Sequence, residues 1–166
     1  MAKNRQLPIW REKMRLEDVS EGERKMLLSL KCPTFETHPW ENGPPLKERR
    51  VAIVTTAGLH GRQDRPFQRD PDDFYRVIRG DVQSNDLVMS HIAASFDRTG
   101  FQRDWNVVFP IDRLREMVAE GIIGSLADFH YSYSSVRAQP DAPEPIREIA
   151  SLLKKDNVNA VLLFPV

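Results

Sequence analysis

Val51-Ala52-Ile53-Val54-Thr55-Thr56 is the stretch that decides the fold. It is an unbroken β-prone run with no polar residue at alternate positions, and Glu48-Arg49-Arg50 precedes it. A strand that is apolar on both faces needs cover on both, which parallel sheets obtain from crossover helices. A second run of this kind, Val158 to Phe164, follows a turn at Asp156-Asn157. The two are expected to be buried, and to lie side by side or one strand apart.

Helical patterns separate the strand candidates. Pro110-Ile111-Asp112 opens one helix, with Ile111, Leu114, Arg115, Met117 and Val118 at helical spacing and Gly121 as its stop. Pro143 and Pro145 open another, with Ile146, Ile149, Ala150, Leu152 and Leu153 on its buried face. Phe74 to Ile78, Asp86 to Ile92 and Ser125 to Tyr133 read as further strands, Ala57 to Gly61 as a turn and residues 62–73 as a polar loop. Strands alternating with helices predict an α/β fold: a doubly wound, mostly parallel sheet with helices on both faces, Rossmann-like and three-layered. Residues 1–45 read as an N-terminal arm and 46–166 as the α/β domain. In the arm, Ser20-Glu21-Gly22-Glu23 has capping-box spacing ahead of Met26, Leu27, Leu28 and Leu30, which predicts a helix over about 20–30.

The length of 166 residues suits one domain. With 24 basic and 24 acidic residues, the charge balance excludes a basic nucleic-acid arm and a highly charged disordered tail. No apolar run approaches the roughly 18 residues that span a bilayer, and no signal-peptide stretch opens the chain. Cys32 is the single cysteine, so no intrachain disulfide is expected and cytoplasm is the expected compartment. Neither nucleic acid nor membrane is an expected partner.

The usual phosphate-binding and nucleophile motifs are missing: no GxxxxGK[ST] occurs, and Gly58-Leu59-His60-Gly61 has too few glycines for a dinucleotide fingerprint. Histidine placement is more informative. Ligands in open α/β sheets bind beyond the carboxyl ends of the strands. His60 follows the first strand, His91 lies near the end of the 86–92 candidate, and His130 lies near the end of the 125–133 candidate. These three are the candidate catalytic residues, expected to share a cleft for a small molecule. Asp97 and Arg98 are the candidate substrate-binding pair, suited to orienting a carboxylate or an adjacent histidine. The spacing of the histidines matches no local metal signature. A non-catalytic α/β binding module, ending at Val166, is the alternative reading.

Val51 to His60, Ser90-His91 with Asp97, Asn106 to Glu116, Glu120 to Ala127, His130-Tyr131-Ser132 and the terminal Ala160 to Val166 form a specific ensemble. Together they resemble the selenoprotein B family of glycine, sarcosine and betaine reductases and D-proline reductase, over roughly residues 45–166. The resemblance implies thiol-dependent reductive cleavage of a carbon–nitrogen bond in an amino-acid-like substrate. It also implies partner reductase subunits, one bearing a pyruvoyl cofactor, and no cofactor in this chain apart from selenocysteine. In the family the last apolar strand runs into a segment like Pro-Val-Sec-Pro-x-Cys. Here the sequence stops at Pro165-Val166. The resemblance therefore implies a UGA codon read as a stop immediately after Val166. The selenocysteine (or cysteine), its partner thiol and a covering C-terminal part would then be absent, and the chain as written inactive.

Overall fold

A computed structural model of the chain describes residues 15–29, 36, 42–68, 73–91, 97–134 and 143–166. The chain divides into a unit of residues 1–39 and a unit of residues 40–166. In the first, helix α1 (Glu21–Ser29) starts at the expected capping box: the Glu23 N–H donates to Ser20 Oγ, and the Glu23 carboxylate accepts from the Ser20 N–H. Cys32 and Leu30 lie outside the described residues.

The second unit is built on β1 (Arg50–Thr55), buried from Val51 onward. Its residues divide by alternation between two cores. Val51 and Ile53 pack on one face with Ile111 and Leu114 of α3 (Ile111–Ala119). Ala52 and Val54 pack on the other face with Ile149 and Leu153 of α4 (Pro143–Lys155). Helices therefore cover both faces of an α/β sheet, as the continuous apolar run requires. Burying a side chain such as Ile53 completely contributes about 2 kcal/mol or more.

Three strands run parallel to β1. The short β5 (Ser125–Leu126) pairs with its first residues and β6 (Phe129–Tyr133) with its last, while β7 (Ala160–Phe164) pairs along its whole length. The first and last apolar runs are thus immediate neighbours, Val51 opposite Ala160 and Thr55 opposite Phe164. Asn157, at φ 56°, makes the left-handed turn from α4 towards β7, a conformation asparagine tolerates better than most residues.

The sheet is mostly parallel, as expected, with one strand, β3 (Tyr75–Arg79), running antiparallel to β6. Other expectations are corrected. The segment 125–133 is two strands, interrupted at Ala127-Asp128. The expected turn after β1 contains a strand, β2 (Leu59–Gly61), which pairs antiparallel with β4 (Leu87–Met89) in a separate two-stranded sheet. Nor is β7 buried on both faces. Ala160, Leu162 and Phe164 pack on the α3 side, whereas Val161 is 42% exposed and Leu163 70%. Here α4 covers β1 but leaves the adjacent strand bare on that side.

Candidate functional site

The carboxyl end of β1 is tied down by hydroxyl groups and one glycine. Thr55 is fully buried: its Oγ1 donates to the Val108 carbonyl at 2.9 Å and accepts the Ala57 N–H at 3.2 Å. The Leu59 N–H donates to the buried Ser132 Oγ at 2.7 Å, joining β2 to the end of β6. Gly58 sits at φ +65° between the two sheets, its N–H on the Tyr133 carbonyl and its carbonyl accepting the Ser90 N–H. A Cβ there would lie 3.1 Å from the His91 nitrogen and 3.2 Å from the Ser90 carbonyl carbon. Both the dihedral and the close approach call for glycine.

The histidines do not form one cluster. His60 is 2% exposed on β2, with Nδ1 2.8 Å from the Gly61 carbonyl oxygen and Nε2 2.8 Å from Ser90 Oγ. His91 directly follows Ser90, and its carbonyl accepts a hydrogen bond from the Arg98 guanidinium. His60, Ser90, His91 and Arg98 are therefore neighbours beside the carboxyl end of β1. Asp97 is exposed; hydrogen bonds from the Thr99 side chain and N–H hold its carboxyl below the ordinary aspartate range. That pairing fixes the short helix α2 (Thr99–Arg103) and leaves the acid directed at its own backbone.

His130 lies elsewhere. It stands second in β6, near that strand's start, and is fully buried. Its Nδ1 accepts the Ile53 N–H at 3.0 Å, its ring meets Phe109 edge to face, and its Nε2 has no hydrogen-bond partner among the described residues. Burial, seconded by the positive charge of Arg115, pushes its pKa down to about 4. An imidazole so placed is a neutral internal acceptor for the sheet.

Val166 lies against β1's exit. Its N–H donates to Thr56 Oγ1 at 2.8 Å, and the same hydroxyl donates to the Val166 carbonyl at 3.2 Å. Thr56 and Ser90 stand in the quoted sequence motifs, but the sequence reading gave neither a role at the site. A hydroxyl residue closing a strand, next to a histidine, is the one local sign that Ser90 left. An open cleft lined by Arg79, Gly80, Asp81, Leu126 and Asp128 lies at the amino end of β6, remote from this chemistry. No group of acidic, histidine or cysteine residues among those described is arranged to hold a metal, and no described helix is long and apolar enough to cross a membrane.

A family model for glycine/sarcosine/betaine reductase selenoprotein B matches residues 26–165. The chain is 38% identical over 120 residues to the D-proline reductase subunit gamma of Acetoanaerobium sticklandii, covering 71% of this chain and 49% of that protein. It is 32% identical over 140 residues to the glycine reductase complex component B subunit gamma of Symbiobacterium thermophilum, covering 79% and 32%. It is 30% identical over 139 residues to the sarcosine reductase complex component B subunit beta of Peptoclostridium acidaminophilum, covering 79% and 31%. The chain thus spans about half of the first of these relatives and about a third of the other two. No solved structure matches it significantly. With 140 of its residues inside one family model, the chain belongs to the glycine/sarcosine/betaine reductase selenoprotein B family.

Proposed function

We propose that this chain supplies the sheet edge of a thiol-dependent reductase that cleaves a carbon–nitrogen bond in glycine, sarcosine, betaine, proline or a related amino acid. The redox residue, selenocysteine or a cysteine in its place, follows Val166. The observation that carries the reading is the Thr56–Val166 pairing. It holds the end of β7 at the carboxyl end of β1, where Ser90, His91 and Arg98 also gather. A residue after Val166 would leave the sheet at the edge where ligands of α/β folds bind. Arg98 suits a substrate carboxylate there, and His60 and His91 suit proton transfer. His130, sealed inside the sheet, keeps a structural role. The pyruvoyl group belongs to a partner reductase subunit in this reading, and no residue of this chain is asked to hold it.

The nucleotide sequence after the Val166 codon tests the proposal first. An in-frame UGA followed by coding for Pro-x-Cys supports it, and an ordinary stop with no coding continuation defeats it. A chain extended through that segment, with cysteine for selenocysteine, should become alkylatable by iodoacetamide at neutral pH at the added residue. Labelling confined to Cys32 would count against the reading.

A further inference from the structure

Two of the described histidines are buried, and they face opposite kinds of partner. His130 Nδ1 faces a backbone N–H, so the ring must accept there, and a second proton would break that bond. His60 is different: both of its ring nitrogens face oxygen. The Gly61 carbonyl can only accept, so Nδ1 carries the proton of the neutral ring and Nε2 accepts from the Ser90 hydroxyl. If the ring gains a second proton, Nε2 donates to Ser90 Oγ instead, and both contacts survive. Only the hydroxyl hydrogen has to turn. Ser90 is half-buried, whereas His60 is closed off behind it with the Phe67 ring edge-on at 6.3 Å. Charged groups on the adjoining segments include Asp64, which accepts the Gly61 N–H, Arg62, whose guanidinium donates to the Asn85 carbonyl, Asp86, whose carbonyl accepts the Arg62 N–H, and Arg76, which stacks on Phe67 and pairs with Asp73.

From this geometry we infer that Ser90 and His60 form a proton relay, with Ser90 as the outlet at the carboxyl end of the sheet. The identity of the proton acceptor rests on the proposed function; the relay itself does not. In the reductive step the thiolate or selenolate donor forms a new bond to carbon with its electron pair as the carbon–nitrogen bond breaks with its own pair on nitrogen. The Ser90 O–H bond breaks as the new N–H bond forms. The doubly protonated His60 ring gives up its Nε2–H as the Ser90 O–H re-forms, which leaves a neutral ring with its proton on Nδ1. Solvent then returns a proton through Ser90.

Replacing the hydroxyl by a thiol turns the relay into a measurable pair. In a Cys32→Ser background, Ser90→Cys places a thiol on His60 Nε2, where proton transfer would give a thiolate–imidazolium pair. The introduced thiol should react with iodoacetamide at pH 7 at least about tenfold faster than an ordinary cysteine, with its rate inflection below about pH 7 rather than near about 8.5. Adding His60→Gln should remove the acceleration and return the inflection to the ordinary value. Two results overturn the relay: an ordinary profile that ignores His60, or a folded Ser90→Cys protein whose thiol is unreactive. If the double variant fails to fold, as judged by circular dichroism, the inflection of Ser90→Cys alone decides. None of these readouts depends on reductase activity, so a stop codon after Val166 would defeat the proposed function and leave this result standing.

Discussion

His130 Nδ1 accepts the backbone N–H of Ile53 at 3.0 Å, and so a side chain fills a place in the ladder of a parallel sheet. The place is open because β5 and β6 are separated at Ala127-Asp128, opposite the middle of β1. A buried N–H without an acceptor costs about 1–3 kcal/mol, and the imidazole removes that cost.

The same contact makes stability depend on pH. In the unfolded chain His130 takes a proton near its ordinary value of about 6.5. In the fold, burial first and then the Arg115 charge hold the ring neutral down to about 4. Between these values the unfolded state binds more protons, so the contribution is complete above the upper one and lost as pH falls towards the lower. The loss approaches about 3 kcal/mol. His130→Gln keeps an acceptor and does not titrate. Urea unfolding from pH 7 to 4.5 should therefore fall more steeply for the native chain than for the variant, and equal slopes would show that the ring is not held neutral.

Gly58→Ala should cost about 1–3 kcal/mol, since it places a Cβ at positive φ. The larger consequence is local. The new methyl meets the backbone of Ser90 and His91, so their amide resonances should shift while those of α4 stay in place. An unaltered spectrum around Ser90 would count against the close packing of the two sheets.

Asp156 links three elements. Its carboxylate pairs with the mostly buried Arg50 and accepts the N–H groups of Asp128 and Phe129. Burial alone would raise its pKa, but the hydrogen bonds from Arg50, Phe129 and Asp128 outweigh it and keep the carboxyl below the ordinary range. Asp156→Ala should cost about 1–3 kcal/mol, because it takes one carboxylate from Arg50 and leaves the Asp128 and Phe129 N–H groups without their acceptor at the start of β6. A change below about 0.5 kcal/mol in urea unfolding would refute this role.

Leu163 is 70% exposed on the bare side of β7. Leu163→Lys should leave the unfolding midpoint nearly unchanged, as surface substitutions usually stay within about 0.5 kcal/mol. A charge beside the strand edge should also reduce concentration-dependent association. Light scattering and thermal unfolding of the two proteins measure both effects.

How legible the site was depended on how local its parts are. The carboxyl end of β1 could be found from sequence, because a strand's direction follows from where its apolar run starts and stops. Of the histidines, His60 and His91 do sit beside that end, whereas His130 looked equivalent only while 125–133 was read as one strand. The break at Ala127-Asp128 moves it from near a strand's end to near its start, and nothing in the local pattern marks that break.

What the sequence determined by itself lies within a few residues along the chain. Continuous apolar character made β1 a strand covered on both faces, the Ser20–Glu23 box started α1, and Gly121 at φ +68° closed α3. Each depends on side chains acting on their own backbone or on the next turn. Tertiary structure decided what depends on partners distant in sequence: the antiparallel course of β3, the exposure of β7, and the state of each buried imidazole. Whether a ring nitrogen accepts or donates is set by what faces it. For His60 Nε2 that group is a hydroxyl 30 positions away, and for His130 Nδ1 it is an N–H 77 positions away. Only the folded chain brings those groups within hydrogen-bonding reach, and the two histidines acquire opposite proton chemistry there.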